Sequence, residues 1–451
     1  MKWLHSLSIV VVGSLFVATF SWEASAQDAK SSRPVVAVQS VGIPAAEEGS
    51  RKASPTVRST LTGDWGGART RLADRGFIFR ADYVSETFSV LTGGRSKNGT
   101  AYAQQVRVGF DLDMERVAGI KGGTFHFTVN DRAGRGVSSA YIGNRLPVQE
   151  TYGGQFSRLT EASYEQDLAN GAVNLRAGYF AMGNDLGGVS AGCNFVNAAF
   201  CAHPLSLSGD SDWSNYPNAR WGVALRIKAR DDLRIRTGLF QVNPELGDED
   251  NAFNPFGGTT TGKIIPLEIE YAPGHDANDH RLPAIYKFGM YYDTADAPRA
   301  GEAGQVDGRY GVYAEMTQTL FRHGDGPRNL VVIGAFTRNP RTSAQISDWA
   351  MLGLVKTGTF VSRDTDTMGV GLVRATVNPR LRDSHRESLG VAGMDASLPS
   401  GETAVELSYG IQIRQWLLVR PDIQFILEPG AFTYESRKHA VAAGLQVKVQ
   451  F

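Results

Sequence analysis

Hydrophobic and polar residues alternate with a period of two along most of the chain. Within residues 441–451, alternate positions are apolar, namely Val441, Ala443, Leu445, Val447, Val449 and Phe451. The positions between them carry Gln446, Lys448 and Gln450 together with two small residues. Because successive side chains of a strand point to opposite faces, this pattern predicts a β-strand with one apolar and one polar face.

The same alternation recurs upstream in the segments 102–114, 125–129, 173–179, 221–229, 233–239, 286–292, 310–321, 405–413 and 417–427. Many of these segments have about ten residues, the length that crosses a bilayer at a tilt. Some neighbours are separated by tight turns, as at Asp231-Asp232 and Gln415-Trp416, whereas the connections 131–160 and 241–262 are long. Helical periodicity is confined to a short segment around 69–75.

These features predict an all-β fold, a transmembrane antiparallel β-barrel with short periplasmic turns and longer extracellular loops. The charged faces would be costly in lipid, so we expect them to line an aqueous lumen. About 390 residues at roughly 24 per strand and connection give about 16 strands. Aromatic residues at strand ends favour interfacial girdles, and they are Phe110, Tyr179, Trp221, Phe240, Tyr292, Phe321, Trp416 and Phe425.

The N-terminus predicts export. Lys2 precedes an apolar stretch at 7–20, and Ala24-Ser25-Ala26 forms a small-residue cleavage site, so residues 1–26 are interpreted as a signal peptide. The apolar stretch is short for the alternative, a membrane anchor. Residues 27–59 are rich in Ser, Ala, Pro and Val without periodicity and predict a flexible extension. Residues 60–451 are then expected to form a single barrel domain.

Composition narrows the class of function. The 46 Lys and Arg residues balance 46 Asp and Glu residues, and this zero formal net charge argues against a nucleic-acid-binding protein. Beyond the N-terminus, no apolar stretch is long enough for a membrane helix. The two cysteines, Cys193 and Cys201, are predicted to form a local disulfide in an exported protein, and two free thiols are the alternative.

The segments that resemble enzyme or metal-site motifs lack the neighbouring residues or the spacing that those motifs require. The sequence G-G-T-T-T-G-K at 257–263 has the spacing of a phosphate-binding loop, but Ile264 replaces the Ser or Thr that would hold magnesium. The histidines lack zinc-site spacing. Asp248-Glu249-Asp250 is interpreted as a solvated loop, and a calcium site is the alternative. We therefore expect no enzymatic activity, no catalytic residue, no metal and no cofactor.

The stretch L-T-G-D-W-G-G-A-R-T-R-L-A-D-R-G at 61–76 resembles the opening motif of the carbohydrate-selective, OprB-type porins. Its most distinctive residues are Asp64, Trp65, Gly66, Gly67 and Arg69. Stretches that start at Tyr164, Tyr216 and Trp416 resemble the same family in the same order, so the resemblance spans nearly all of 60–451. It implies a 16-stranded barrel in a Gram-negative outer membrane that passes sugars by diffusion through a constriction of inward-folded loops. A terminal Phe, as at Phe451, also resembles the signal read by the outer-membrane assembly machinery.

Strand parity assigns the lumenal side chains that could contact a sugar. Arginine offers a fork of donors to sugar hydroxyls, and carboxylates accept from them. The candidates are Arg80, Asp82, Glu86, Arg107, Arg176, Arg220, Arg226, Lys228, Arg234, Arg236, Glu268, Glu270, Lys287, Tyr291 and Glu315. Opposed basic and acidic walls would set a transverse field across the constriction, and pairing between neighbouring strands is the alternative. Trp213 and Tyr216 are either a sugar-stacking platform or an interfacial anchor.

The sequence thus predicts an outer-membrane porin for facilitated diffusion of glucose-like mono- or small oligosaccharides. The expected partners are small sugars, outer-membrane lipid and the assembly machinery, and a homotrimer is one candidate oligomeric state. Two alternatives stay open. An anion- or organic-acid-selective porin would use the same arginines, and a secreted β-rich polysaccharide-active enzyme would carry polar outer faces instead of these apolar ones.

Overall fold

The computed structural model describes residues 59–201, 203–275, 279–324, 326–391 and 398–451. The predicted signal peptide and nearly all of the predicted extension lie outside the described residues. Within them, sixteen strands form one closed antiparallel barrel, and the first barrel strand pairs with the last. This confirms the predicted fold class and the strand number.

Strands are numbered in chain order. The first half of the barrel consists of β1 (Phe77–Thr92), β2 (Thr100–Asp113), β3 (Gly123–Gly134), β4 (Ser157–Leu168), β5 (Val173–Phe180), β6 (Arg220–Arg230), β7 (Leu233–Val242) and β8 (Gly262–Tyr271). The second half consists of β9 (Ala284–Asp293), β12 (Arg309–Arg322), β13 (Asn329–Arg338), β14 (Ile346–Thr357), β15 (Thr367–Val377), β16 (Gly401–Arg414), β17 (Leu417–Leu427) and β18 (Ala440–Gln450). A separate two-stranded hairpin contains β10 (Ala297–Pro298) and β11 (Gln305–Val306).

Four short helices accompany the barrel: α1 (Ala68–Asp74), α2 (Met114–Ala118), α3 (Leu205–Asp210) and α4 (Pro379–Val391). Only α1 was expected from the sequence. Helix α4 was missed because none of its residues is buried, so it lacks the apolar stripe that reveals a helix. In the part of the chain that the structure describes, no helix is both long and apolar enough to span a membrane.

The two faces of the barrel differ in polarity as the alternation predicts. The outer face exposes large apolar side chains, including Val223, Leu239, Ile265, Phe288, Leu352 and Leu372. The inner face carries charged and amide side chains, and many of them are buried. The prediction that Phe240 belongs to the interfacial girdle is wrong. Phe240 is 1% exposed and packs edge-on against Phe180 on the inner face.

The connections differ in length at the two ends of the barrel. One end has the tight turns at 231–232 and 415–416 and is called the short-turn end. The other end, called the long-loop end, has the connections 135–156, 181–219 and 243–261. Residues of the first two connections are largely buried, so they fold into the barrel instead of projecting from it.

The segment before β1 holds the barrel closed at the short-turn end. Gly66 and Gly67 have φ angles of 65° and 87°, which glycine adopts at little cost, and α1 starts directly after them. Arg69 is buried and donates hydrogen bonds to the main-chain oxygens of Phe79 (3.2 Å) and Phe451 (2.8 Å). Its guanidinium therefore bridges the first strand and the residue after the last strand.

We expect Arg69→Ala to destabilise the closed barrel by about 2 kcal/mol, because two partly buried main-chain acceptors lose a charged donor. The measurement is the temperature at which the folded, fast-migrating form is lost on a detergent gel. Arg71→Ala is the matched control, since Arg71 lies on the same helix and is exposed. Equal melting temperatures for the two variants would show that Arg69 does not stabilise the closure between β1 and the C-terminus.

Candidate functional site

The strand register places the side chains of all the lumenal candidates on the inner face. Directly paired residues share a face, as in the pairs Asp82–Arg107, Arg226–Arg236 and Lys287–Glu315. The face is the inner one because several candidates contact connections that lie inside the barrel; for example, the Lys287 Nζ donates to Gly188 O at 2.6 Å. Whether these residues contact a sugar stays a prediction.

The basic residues of β7 are neutralised by carboxylates of the neighbouring strand β8. Arg236 lies 2.5 Å from Glu268 and 2.8 Å from Glu270, and Arg234 lies 2.7 Å from Glu270. The Tyr313 hydroxyl also donates to Glu268, at 2.9 Å. The charges are thus paired between adjacent strands. The sequence left this arrangement open as the alternative to opposed basic and acidic walls.

A second group of charges lies on β1 and β2. Arg107 pairs with Asp82 at 2.6 Å, and Arg80 pairs with Asp111 at 2.5 Å. The guanidinium carbon of Arg107 lies 5.6 Å from the ring centroid of Tyr216, a cation–π distance. Tyr216 is therefore a lumenal residue and not an interfacial anchor.

Trp213 is buried instead of lying at a membrane interface or offering a ring face to a sugar. It is 1% exposed, and its ring packs edge-on against those of Tyr291 and Tyr313, each with centroids 5.7 Å apart. Both interpretations offered for Trp213 are wrong, because parity along a strand gives no information about how a loop packs.

Two connections narrow the lumen. Loop A is residues 135–156, between β3 and β4, and loop B is residues 181–219, between β5 and β6, described on both sides of residue 202. Their apolar side chains pack against the inner wall in three separate clusters, one of which joins Phe195, Phe200 and Leu205 to Trp349 and Val373. Loop B thus reaches strands on several sides of the barrel.

Wall carboxylates bind the backbone of both loops. Glu86 of β1 accepts from the amide (3.0 Å) and hydroxyl (2.9 Å) of Thr151, and Glu268 accepts from Gly187 N at 2.8 Å. Glu402 and Glu406 of β16 each accept from two loop amides. Glu402 was not among the sequence candidates, although it stands before the alternating run 405–413 with the same parity as Glu406.

Loop B is closed on itself by a disulfide between Cys193 and Cys201, with sulfurs 2.05 Å apart. The enclosed rings of Phe195 and Phe200 stack with centroids 4.5 Å apart. They pack against glycines on the inner wall, and a Cβ added at Gly371 would lie only 2.7 Å from the Phe200 ring. Glycine at this wall position therefore makes room for the loop.

Next to loop B, on the side of β4 to β7, lies a small cavity. Its polar lining consists of Glu165, Asn174, Arg176, Asp185, Arg226, Arg236 and Thr237. Such a surface offers both donors and acceptors to a hydroxyl-rich solute. Across the described ranges, no group of His, Cys, Asp and Glu side chains is arranged to hold a metal ion.

A closed 16-strand antiparallel barrel with an apolar outer face, a charged inner face and inward-folded loops defines an outer-membrane porin. Residues 97–451 match the carbohydrate-selective porin, OprB family. The chain belongs to this family and is a sugar porin of the outer membrane. Its class is that of a transport channel rather than an enzyme.

Relatives with known names agree with this assignment. The chain is 30% identical to Porin B of Pseudomonas aeruginosa over 443 residues, which cover 92% of this chain and 96% of that one. It is 30% identical to the putative porin QuiX of Acinetobacter baylyi over 418 residues, 87% of this chain and 93% of that one. The high-pH structure of Pseudomonas putida OprB superposes with a TM-score of 0.82 at 30% identity and covers 88% of this chain and 99% of that one.

Loop B contains a buried histidine that makes its packing sensitive to acid. His203 is 1% exposed, and its ring centroid lies 6.0 Å from that of Trp213. Burial lowers the pKa of His203 to about 3, from an ordinary value of 6.5. The unfolded loop therefore binds a proton that the packed loop excludes, and packing weakens progressively as the pH falls from 6.5 towards 3.

Between pH 7.5 and pH 5 we expect His203 to destabilise packed loop B by about 2 kcal/mol, the effect of ~1.5 pH units at 1.36 kcal/mol each. Asp210 of the same loop, whose pKa burial raises to about 6, opposes this change, so the contribution of His203 is read from its variant. Limited proteolysis of the loop and Trp fluorescence at the two pH values measure this change. His203→Phe, which cannot take up a proton, should reduce the difference. An equal response of both proteins to acid would refute the role of His203.

Proposed function

We propose that the porin carries glucose-like monosaccharides and small oligosaccharides, with lumenal arginines and carboxylates as their hydrogen-bond partners. The observation that carries this proposal is the pairing of lumenal charges on adjacent strands, as between the partly exposed Arg234 and Glu270. Pairing cancels charge but leaves further N–H groups and oxygen lone pairs available. Such a surface favours an uncharged, hydroxyl-rich solute over an anion.

Exposure separates the candidates that can reach a sugar from those that support the structure. The side chains of Arg80, Arg107 and Arg234 are 39%, 26% and 27% exposed despite their ion pairs. Arg176 and Arg220 are 2% and 4% exposed and are bound to carboxylates of loop B. We assign the first three to the sugar path and the last two to holding loop B.

Export and assembly complete the proposal. Residues 1–26 would direct export and be removed, and residues 27–59 would precede the barrel domain of 60–451. Phe451, whose amide donates to Ala81 O at 2.9 Å, would be read by the assembly machinery before the barrel closes. Outer-membrane lipid would then surround the apolar outer face.

Uptake into liposomes that contain the purified protein tests the proposed substrate. We expect glucose to enter faster than a neutral disaccharide and faster than a small organic anion. Arg234→Gln should slow glucose entry by about threefold, the effect of roughly 0.7 kcal/mol from one hydrogen bond. Arg230→Gln is the control, because Arg230 is 63% exposed and pairs with Asp232 in a short turn.

Two outcomes of this experiment would contradict the proposal. Preferred entry of the organic anion would favour the anion-selective porin. Entry of none of the three solutes would exclude an open pore under these conditions.

The outer face of β1 and β2 supports the homotrimer. Ser85, Thr87 and Ser89 point outward beside Val447, Leu445 and Ala443 of β18, their direct partners. The neighbouring Tyr83 and Tyr102 hydroxyls lie 2.7 Å apart on this outer face, and Tyr102 donates to Gln104 at 2.7 Å. Polar groups are costly against lipid, and hydroxyls that both donate and accept can pair with a second copy of the chain.

We expect the variant Tyr83→Phe, Tyr102→Phe, Gln104→Leu to dissociate into monomers, because it removes the polar groups that a second copy would bind. Cross-linking in the bilayer and native mass spectrometry measure the oligomeric state. Tyr286→Phe, Gln318→Leu is the matched control, since Tyr286 donates to Gln318 elsewhere on the outer face. A wild-type protein that is already monomeric would rule out the homotrimer.

A further inference from the structure

Two buried carboxylates on one strand bind the backbones of the two inward loops. Glu402 and Glu406 lie four residues apart on the inner face of β16, and both are 0% exposed. In loop A, Glu402 Oε2 accepts from Arg145 N at 2.7 Å and Oε1 accepts from Leu146 N at 2.8 Å. Both oxygens of the carboxylate are therefore used by consecutive amides.

Glu406 binds loop B in the same manner. Its Oε1 accepts from Val196 N at 2.6 Å, and its Oε2 accepts from Asn197 N at 2.9 Å. In a buried site, where water does not compete, a carboxyl group that accepts from two consecutive amides fixes the position of that backbone segment. Each glutamate is thus a two-point attachment for one loop.

The two attachments belong to one docking region. Gln424 of β17 donates to Val148 O of loop A at 3.0 Å and accepts from the Asn197 side chain of loop B at 2.9 Å. The loops also contact each other directly, through Ala198 N and Pro147 O at 2.9 Å. Residues 145–148 of loop A and 196–198 of loop B are therefore held together against the β16–β17 side of the wall.

The docking region lies opposite the cavity. In the closed order of strands, β16 and β6 are separated by the same number of strands in both directions. The cavity next to loop B is lined by β4 to β7. The segments bound at β16 therefore lie across the barrel from this cavity, whereas Asp185 and Leu186 of loop B border it.

We propose that Glu402 and Glu406 are positioning residues that set the size limit of the pore, an inference that rests on the proposed sugar transport. They contact no sugar themselves. They fix residues 145–146 of loop A and 196–197 of loop B at the β16 wall, while Arg176 and Glu268 bind loop B on the opposite side. Attached on both sides, the loop backbone cannot shift across the lumen. Release of either loop would let the backbone move within the lumen and would relax discrimination between small and larger sugars.

Glu402→Gln and Glu406→Gln, made separately, test this role. Each substitution keeps the shape but replaces one acceptor oxygen with an NH₂ group, which faces a backbone N–H as donor against donor. Glu428→Gln is the control, because Glu428 is 38% exposed at the end of β17 and binds no loop amide of A or B among the described contacts. All proteins are studied at full length in liposomes.

The first measurement is the uptake of a neutral trisaccharide relative to glucose. We expect this ratio to rise several-fold in each variant and to stay at the wild-type value in Glu428→Gln. A loss of folded protein would lower both rates equally and leave the ratio unchanged, so the ratio separates positioning from general destabilisation.

The second measurement is hydrogen exchange by mass spectrometry. Exchange should become faster around 145–146 in Glu402→Gln alone and around 196–197 in Glu406→Gln alone. Faster exchange with an unchanged ratio would overturn the proposal, and so would unchanged exchange in both variants. If one variant fails to fold, the other loop still gives the answer. Failure of glucose to enter with the wild-type protein would refute the proposed function instead.

Discussion

The structure depends on the constraint that lipid offers no hydrogen bonds to a polypeptide backbone. Every barrel strand must pair on both sides, and pairing of β1 with β18 closes the sheet. Closure divides each strand into an outer face that must be apolar and an inner face that is free to be charged. The period-two pattern of the sequence is the direct result of this division.

Inside the barrel, the same need for hydrogen bonds applies to irregular backbone. Loops A and B run through a narrowed lumen, where buried amides require acceptors. Wall carboxylates provide them, as Glu86 does for Thr151 and Glu406 does for Val196. Some acidic residues that the sequence assigns to sugar binding, such as Glu86, therefore bind the loops instead, and these loops border the open part of the lumen.

Strand parity predicted which side chains share a face, as for Asp82 and Arg107, because a period of two follows from local geometry. It did not predict that Arg236 would lie between Glu268 and Glu270, since the register between strands is set by the whole barrel. Strand parity does not apply to loop B, because a loop has no period of two. Trp213 is buried by contacts with distant strands that no local pattern records.

The attachment of loop B to β16 has a consequence for the order of folding. Val196 lies before β6, but its acceptor Glu406 lies 210 residues later in the chain. A contact so distant in sequence forms late, after the intervening strands have been placed. The nascent barrel would therefore pass through a stage with a wide lumen, and loop B would reach its final position only after β16 has been placed.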